Sequence, residues 1–223
     1  MTTQAWVWLV ATLCVAAIDW LAVSRLGNSH GGPWQRVRYV AKPLTMLLLC
    51  AAALSLDPAA GLDGRRWWFV AAILLGMAGD IFLMLPNEDL FIGGLLSFFV
   101  GHLAYLIGFQ VHGPALGRVI VIALLLAVVA AVIGRRVLAG AVAGGHRELR
   151  VPIVAYMAVL VSMAAWAAAT GNPWAVAGGL LFLASDATLS WNRFVQPSGW
   201  APLTVIVTYH VAQICLVLSL LKG

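Results

Sequence analysis

Few side chains in this 223-residue sequence can do chemistry, because only 9% are Asp, Glu, Lys or Arg while 63% are apolar. The positions of those few are therefore informative. Asp19, Asp80, Asp186, His102 and His210 lie inside long apolar runs, and Lys42 stands at the start of one. An ionisable group at bilayer depth costs roughly 2.5 to 3.5 kcal/mol on the insertion scale, so it normally has a function or a partner. Two aspartates in a partly desolvated place suit acid–base work. Burial and mutual repulsion leave one protonated and the other ionised near neutral pH, so one donates a proton and the other accepts one. Intramembrane Asp and His residues also relay protons in transporters, which keeps a proton-coupled transporter of a small or lipid-like solute as the alternative. A metal site from Asp80, Asp186 and His102 would hold fewer ligands than magnesium or zinc sites normally show, so no metal or other cofactor is expected. No GxSxG, HExxH, Walker or CxxC pattern occurs, which leaves serine hydrolases, zincins and nucleotide-driven pumps without local support.

The elements that must position these residues are apolar runs. A hydrocarbon core of about 30 Å takes roughly 20 apolar residues per helix. Eight such runs are legible: Ala5 to Val23, Val40 to Leu56, Trp67 to Leu85, Phe91 to Val111, Leu116 to Ile133, Val151 to Thr170, Trp174 to Leu189 and Ala201 to Leu221. They predict an all-α polytopic membrane bundle of eight transmembrane helices, one integral membrane domain over residues 1–223, with no room for a folded extramembrane domain. The runs are continuous and lack strand-like alternation, which disfavours a β-barrel. Met1 to Trp20 has no Lys or Arg ahead of its apolar run, so it reads as a retained first helix. Cys14, Cys50 and Cys215 are odd in number and each lies in an apolar run, which argues against a disulfide framework. The net charge of +5 comes mostly from Arg scattered in short connections, without a basic face for nucleic acid.

Those basic residues orient the chain. Arg25, Arg36, Arg38, Lys42, Arg135, Arg136, Arg147, Arg150 and Arg193 fall on one side, against Arg65, Arg66, Arg118 and Lys222 on the other. The positive-inside rule then places the odd-numbered loops in the cytoplasm and both termini outside. In that frame Asp80 and Asp186 lie at a similar shallow depth from the cytoplasmic face. Lys42, Tyr156, Asn192 and Arg193 reach the same level. His102 and Tyr209 lie deeper, with Tyr105 and Gln213 one helical turn beyond them on the same faces. Interhelical packing accounts for several polar or small residues as well as function does. Gly94, Ser97, Gly101, Ala104 and Gly108 form a close-packing stripe, and Asp19 and His210 read as structural. A faint duplication links GD at Gly79-Asp80 and HLAY from His102 with SD at Ser185-Asp186 and HVAQ from His210. It would make a parallel 4+4 repeat, although short matches among apolar helices also arise by chance.

Four segments carry a resemblance: GMAGDIFLML at Gly76 to Leu85, FFVGHLAYLIGF at Phe98 to Phe109, GGLLFLASDATLSWNRF at Gly178 to Phe194 and TYHVAQ at Thr208 to Gln213. With Lys42-Pro43-Leu44 ahead of them, in this order and spacing, the chain resembles the YhhN-type lysoplasmalogenase family of eight-helix membrane proteins. By motif position the family's paired aspartates fall on Asp80 and Asp186, and its other polar positions on Lys42, His102, Tyr105, Tyr209 and Gln213. The resemblance implies hydrolysis of the vinyl-ether bond of a lysophospholipid substrate among membrane lipids, in a bacterial inner membrane. The first helix matches little, so Asp19 gains nothing from it. The residue types suit that chemistry. Protonating the β-carbon of a vinyl ether makes an oxocarbenium-like cation that water attacks, a task split between acid and carboxylate as in glycosidases. A basic side chain beside one aspartate would mark it as the base, with Lys42 and Arg193 as the candidates. Lys42, Asn192 and Arg193 also suit a lipid phosphate. A transporter would more often show helices broken mid-span by proline, whereas Pro43, Pro152, Pro173 and Pro202 all read as near helix starts.

Overall fold

The computed structural model describes residues 1–26, 32–85 and 89–221. All eight expected helices are present: α1 (Thr3–Leu26), α2 (Pro33–Ser55), α3 (Asp63–Met84), α4 (Asp89–Gln110), α5 (Leu116–Ala143), α6 (Arg150–Ala169), α7 (Pro173–Phe194) and α8 (Ala201–Leu218). A single 3₁₀ turn, Arg147–Leu149, leads into α6, and no strand occurs among the described residues. Seven of the eight are long and apolar enough to cross a membrane by length and composition; α7 is outside that set. The protein is a polytopic helical membrane bundle. Its lipid-facing character is clearest on α5, where Leu124, Leu125 and Val128 are each 63–66% exposed, an arrangement that water would oppose and hydrocarbon favours.

Helices run past the apolar stretches because backbone hydrogen bonds continue where hydropathy stops. α2 begins at Pro33, behind an extended Gly32 and with its proline in the first turn, where a missing N–H costs nothing. Lys42 therefore sits well inside α2 and is buried, and Pro43 lies in the helix interior and not near its start. α5 continues through Arg135 and Arg136 to Ala143. α7 starts as expected, with Pro173 in its first turn and the Asn172 side-chain oxygen accepting from the N–H groups of Trp174 and Ala175 at 2.9 and 3.2 Å.

The chain forms two compact units, residues 1–112 with 216–223 and residues 113–215. In the first, α1 packs on α2, α2 on α3 and α3 on α4. The α3–α4 contact is where the small-residue stripe works. A Cβ at Gly94 would press on Leu83, one at Gly108 on Phe69, and one at Gly79 of α3 on the Phe98 ring of α4. Ser97 donates to the Leu75 carbonyl at 2.6 Å across the same seam. Arg65 is buried and spends its guanidinium on carbonyls at the end of α4, Gly108 at 3.2 Å and Val111 at 2.7 Å. The last carbonyls of a helix lack the partners that a further turn would supply, so the arginine helps to close that end.

In the second unit α5, α6 and α7 pack on one another. Gly140 of α5 lets the end of α7 come against it, since a Cβ there would fall on the Phe194 carbonyl oxygen. Ser185 of α7 donates to the Val205 carbonyl of α8 at 3.0 Å.

Candidate active site

In the first unit, Lys42 of α2 and Asp80 of α3 form a buried ion pair, Nζ to Oδ1 2.7 Å, with side chains 8% and 2% exposed. Gly76 and Gly79, one turn and one residue before Asp80, are buried with it. Of the two bases that could sit beside an aspartate, Lys42 is therefore the one found at Asp80. His102 and Tyr105 of α4 are each 1% exposed, and the Tyr105 ring meets the Phe69 ring edge-on at 4.9 Å. Asp19 of α1 is fully buried. Neither of its carboxylate oxygens has a hydrogen-bond partner among the described residues. It lies in electrostatic range of Lys42, Arg38 and Asp80.

In the second unit, the Tyr156 hydroxyl of α6 donates to Asp186 Oδ2 of α7 at 2.5 Å. Sequence placed Tyr156 at the level of the aspartates but did not count it as a site residue. Its single signal was that level. The pair lies on the wall of an apolar cavity of about 250 Å³ among α5, α6 and α7, with Val129, Met157, Leu160 and Leu183 among its lining. A second cavity of about 270 Å³ shares Ile133 and Ala187 with the first and is lined at the α7–α8 connection by Trp191, Asn192, Gln196 and Ser198. Asn192 also has a local task, accepting from the Ser198 N–H at 2.7 Å to shape that connection. Arg193 is exposed and lies over the Phe194 ring at 5.7 Å.

Tyr209, His210 and Gln213 of α8 are all buried. Tyr209 packs edge-on against Phe182 of α7 at 5.5 Å, which gives it a packing role beside any polar one. No group of three His, Cys, Asp or Glu side chains among the described residues is placed to hold a metal ion. The arrangement offers two buried carboxylates in different settings, one against an ammonium and the other taking a phenol hydroxyl at the edge of an apolar cavity.

Residues 37–220 match the YhhN family. A Sus scrofa protein named lysoplasmalogenase TMEM86B is 32% identical over 182 residues, which cover 81% of this chain and 74% of that one. A Homo sapiens protein of the same name is 29% identical over 154 residues, covering 68% and 62%. A Mycobacterium bovis protein named lysoplasmalogenase is 27% identical over 191 residues, covering 80% and 69%. No solved structure matches.

Proposed function

The chain belongs to the YhhN family, and from that premise we propose that it is a membrane lysoplasmalogenase that cleaves the vinyl-ether bond of a lysophospholipid, with Asp80 and Asp186 as its catalytic aspartates. The support for substrate and reaction is the printed name of its relatives in mammals and mycobacteria. The support for the two aspartates is that each is buried and engaged by a polar partner, Asp80 by the Lys42 ammonium at 2.7 Å and Asp186 by the Tyr156 hydroxyl.

The reaction needs two carboxyl groups, one an acid and one a base, the roles proposed for the two aspartates. The acid protonates the vinyl β-carbon, and the ether oxygen's electrons make the α-carbon an oxocarbenium centre. The base takes a proton from water as the water oxygen bonds to that carbon, giving a hemiacetal. The hemiacetal hydroxyl proton returns to the first carboxyl group, the carbon–oxygen bond to glycerol breaks, and the second gives its proton to the departing oxygen. The products are a fatty aldehyde and glycerophosphoethanolamine or glycerophosphocholine, with acid and base back in their starting states. His102, Tyr105, Tyr209 and Gln213 are proposed to orient substrate or water, and the basic residues of the connections to hold the protein in a bacterial inner membrane with both termini outside.

Purified protein in detergent, supplied with alkenyl lysophosphoethanolamine, should release aldehyde that a coupled aldehyde-oxidising enzyme reports. Asp80→Asn and Asp186→Asn should each lower that release by about a hundredfold or more, the low end of the range for a positioned acid or base. Unchanged turnover in both variants would overturn the assigned roles. Solute uptake into proteoliposomes with no lipid cleavage would replace the enzyme with a transporter.

A further inference from the structure

The second unit contains more than a carboxylate. Its first cavity is almost wholly apolar, with Tyr156, Asp186 and Ser190 as the polar residues of its lining. The adjoining cavity is also mostly apolar in surface but has polar and aromatic residues in its lining, and the two share Ile133 and Ala187, so they adjoin along one wall. The order of residues gives the pair of cavities a direction. Leu126, Leu160 and Leu180 line the first cavity toward the middle of their helices, while Tyr156, Asp186 and Ser190 line it toward the ends that lead to the second. Trp191, Asn192, Gln196, Ser198 and Trp200 then form the second cavity at the connection between α7 and α8. Small-molecule sites are typically apolar concavities with a few convergent polar groups, and this order, apolar then acid–base then polar and aromatic, is the order of groups along a single-chain phospholipid.

We propose that the lysolipid lies along this one unit: its chain in the cavity among α5, α6 and α7, its reacting bond beside Asp186 and Tyr156, and its glycerophospho headgroup in the cavity at the α7–α8 connection. This rests on the lysoplasmalogenase reading for the identity of the lipid, but the geometry of the two cavities is independent of it. Chain entry needs no passage through water, because the outer face of α5 is exposed apolar surface. Trp191 and Trp200 beside the headgroup suit a quaternary or primary ammonium, which the face of an indole attracts. Asn192 and Ser198 already hydrogen-bond to each other and so hold the rim in shape without a ligand.

The test uses the full-length protein in detergent and a lysophospholipid whose chain is joined by a saturated ether, which cannot be cleaved by this route, carrying a diazirine at mid-chain. After illumination, peptide mass spectrometry should find the label on α5, α6 and α7, and an excess of unlabelled lysolipid should remove it. Ala130→Trp, which fills the cavity from α5, should abolish that labelling. In turnover assays it should lower cleavage of long-chain substrate at least tenfold relative to a short-chain one. Ala130→Leu, a milder filling, should show the same order with a smaller effect and guards against misfolding of the Trp variant. Label confined to residues 1–112, or a chain-length profile unmoved in both variants, would overturn the proposal even if the wild type releases aldehyde. Competable label on α5–α7 from a wild type that cleaves no vinyl ether would uphold the binding site and remove the lysoplasmalogenase reading.

Discussion

Lys42 and Asp80 are worth more to each other than either is to the fold. Both are buried, so removing one takes the ion-pair partner from a charge out of water, a loss of about 3–5 kcal/mol, whereas replacing both by apolar residues of similar volume is often neutral or stabilising. Lys42→Met should therefore lower the thermal midpoint in detergent, followed by tryptophan fluorescence. The double variant Lys42→Met with Asp80→Leu should recover most of it while remaining inactive. Recovery of stability without activity is the outcome that separates a catalytic pair from a structural one. Tyr156 makes a complementary case. Tyr156→Phe removes the hydroxyl that donates to Asp186 and keeps the ring. A hydrogen bond to a charged group contributes about 1.5–3 kcal/mol, so turnover should fall roughly ten- to hundredfold with KM and thermal midpoint little changed. A variant that melts early but turns over normally would give Tyr156 a structural role alone. The sequence singled out the ionisable residues, because so few charges lie in so much apolar chain. It could not show which base pairs with which acid, since that depends on how α2 is rotated against α3 and α6 against α7. The burial of Asp19 without a hydrogen-bond partner is likewise visible only in three dimensions.

The helices themselves were legible from runs of about 20 apolar residues. Their ends were less so. The polar stretch Pro33 to Tyr39 and the pair Arg135-Arg136 are helical, and the apolar runs alone stop short of both. That shortfall moved Lys42 and Pro43 from a helix start into a helix interior. Close approach between helices is where the small residues earn their positions. Gly140 is the sharpest case, because what it faces is the backbone carbonyl of Phe194, which cannot rotate away as a side chain can. Gly140→Ala should displace the end of α7 from α5 and cost about 1–3 kcal/mol, the usual range for overpacking. The displaced segment carries Asn192 and leads into the outer cavity, so the variant should also raise KM for lysolipid more than it lowers kcat. By contrast Gly134→Ala meets only the flexible end of Met157 and should be tolerated. Equal thermal midpoints and equal KM values in the two variants would show that the α5–α7 approach does not set the rim.

For the whole molecule, the number of crossings decides where the two ends lie, and α7 is the helix on which that number turns. Seven helices meet the length and composition of a membrane span without it. Its 22 residues reach about 33 Å at 1.5 Å per residue, enough for a hydrocarbon core of about 30 Å. What lowers its hydropathy is a set of polar residues, of which Ser185, Asp186 and Ser190 are engaged inside the protein, one on the Val205 carbonyl and the others on the cavity wall. Polar groups turned inward do not oppose a crossing, because lipid meets the other face. Eight crossings then return the chain to the side on which it began. The charge argument for which side changes little with the structure. Lys42 leaves the cytoplasmic count by being buried in an ion pair, and Arg65 leaves the opposite count by being buried against carbonyls. Lys222 is outside the described residues. Reporters fused in turn to the N- and C-terminus, one active only in the cytoplasm and the other only outside it, should place both ends outside. Both ends inside would keep α7 as a span and reverse the orientation. Ends on opposite sides would remove α7 from the membrane, and with it the bilayer-facing chain site that α5, α6 and α7 are proposed to share.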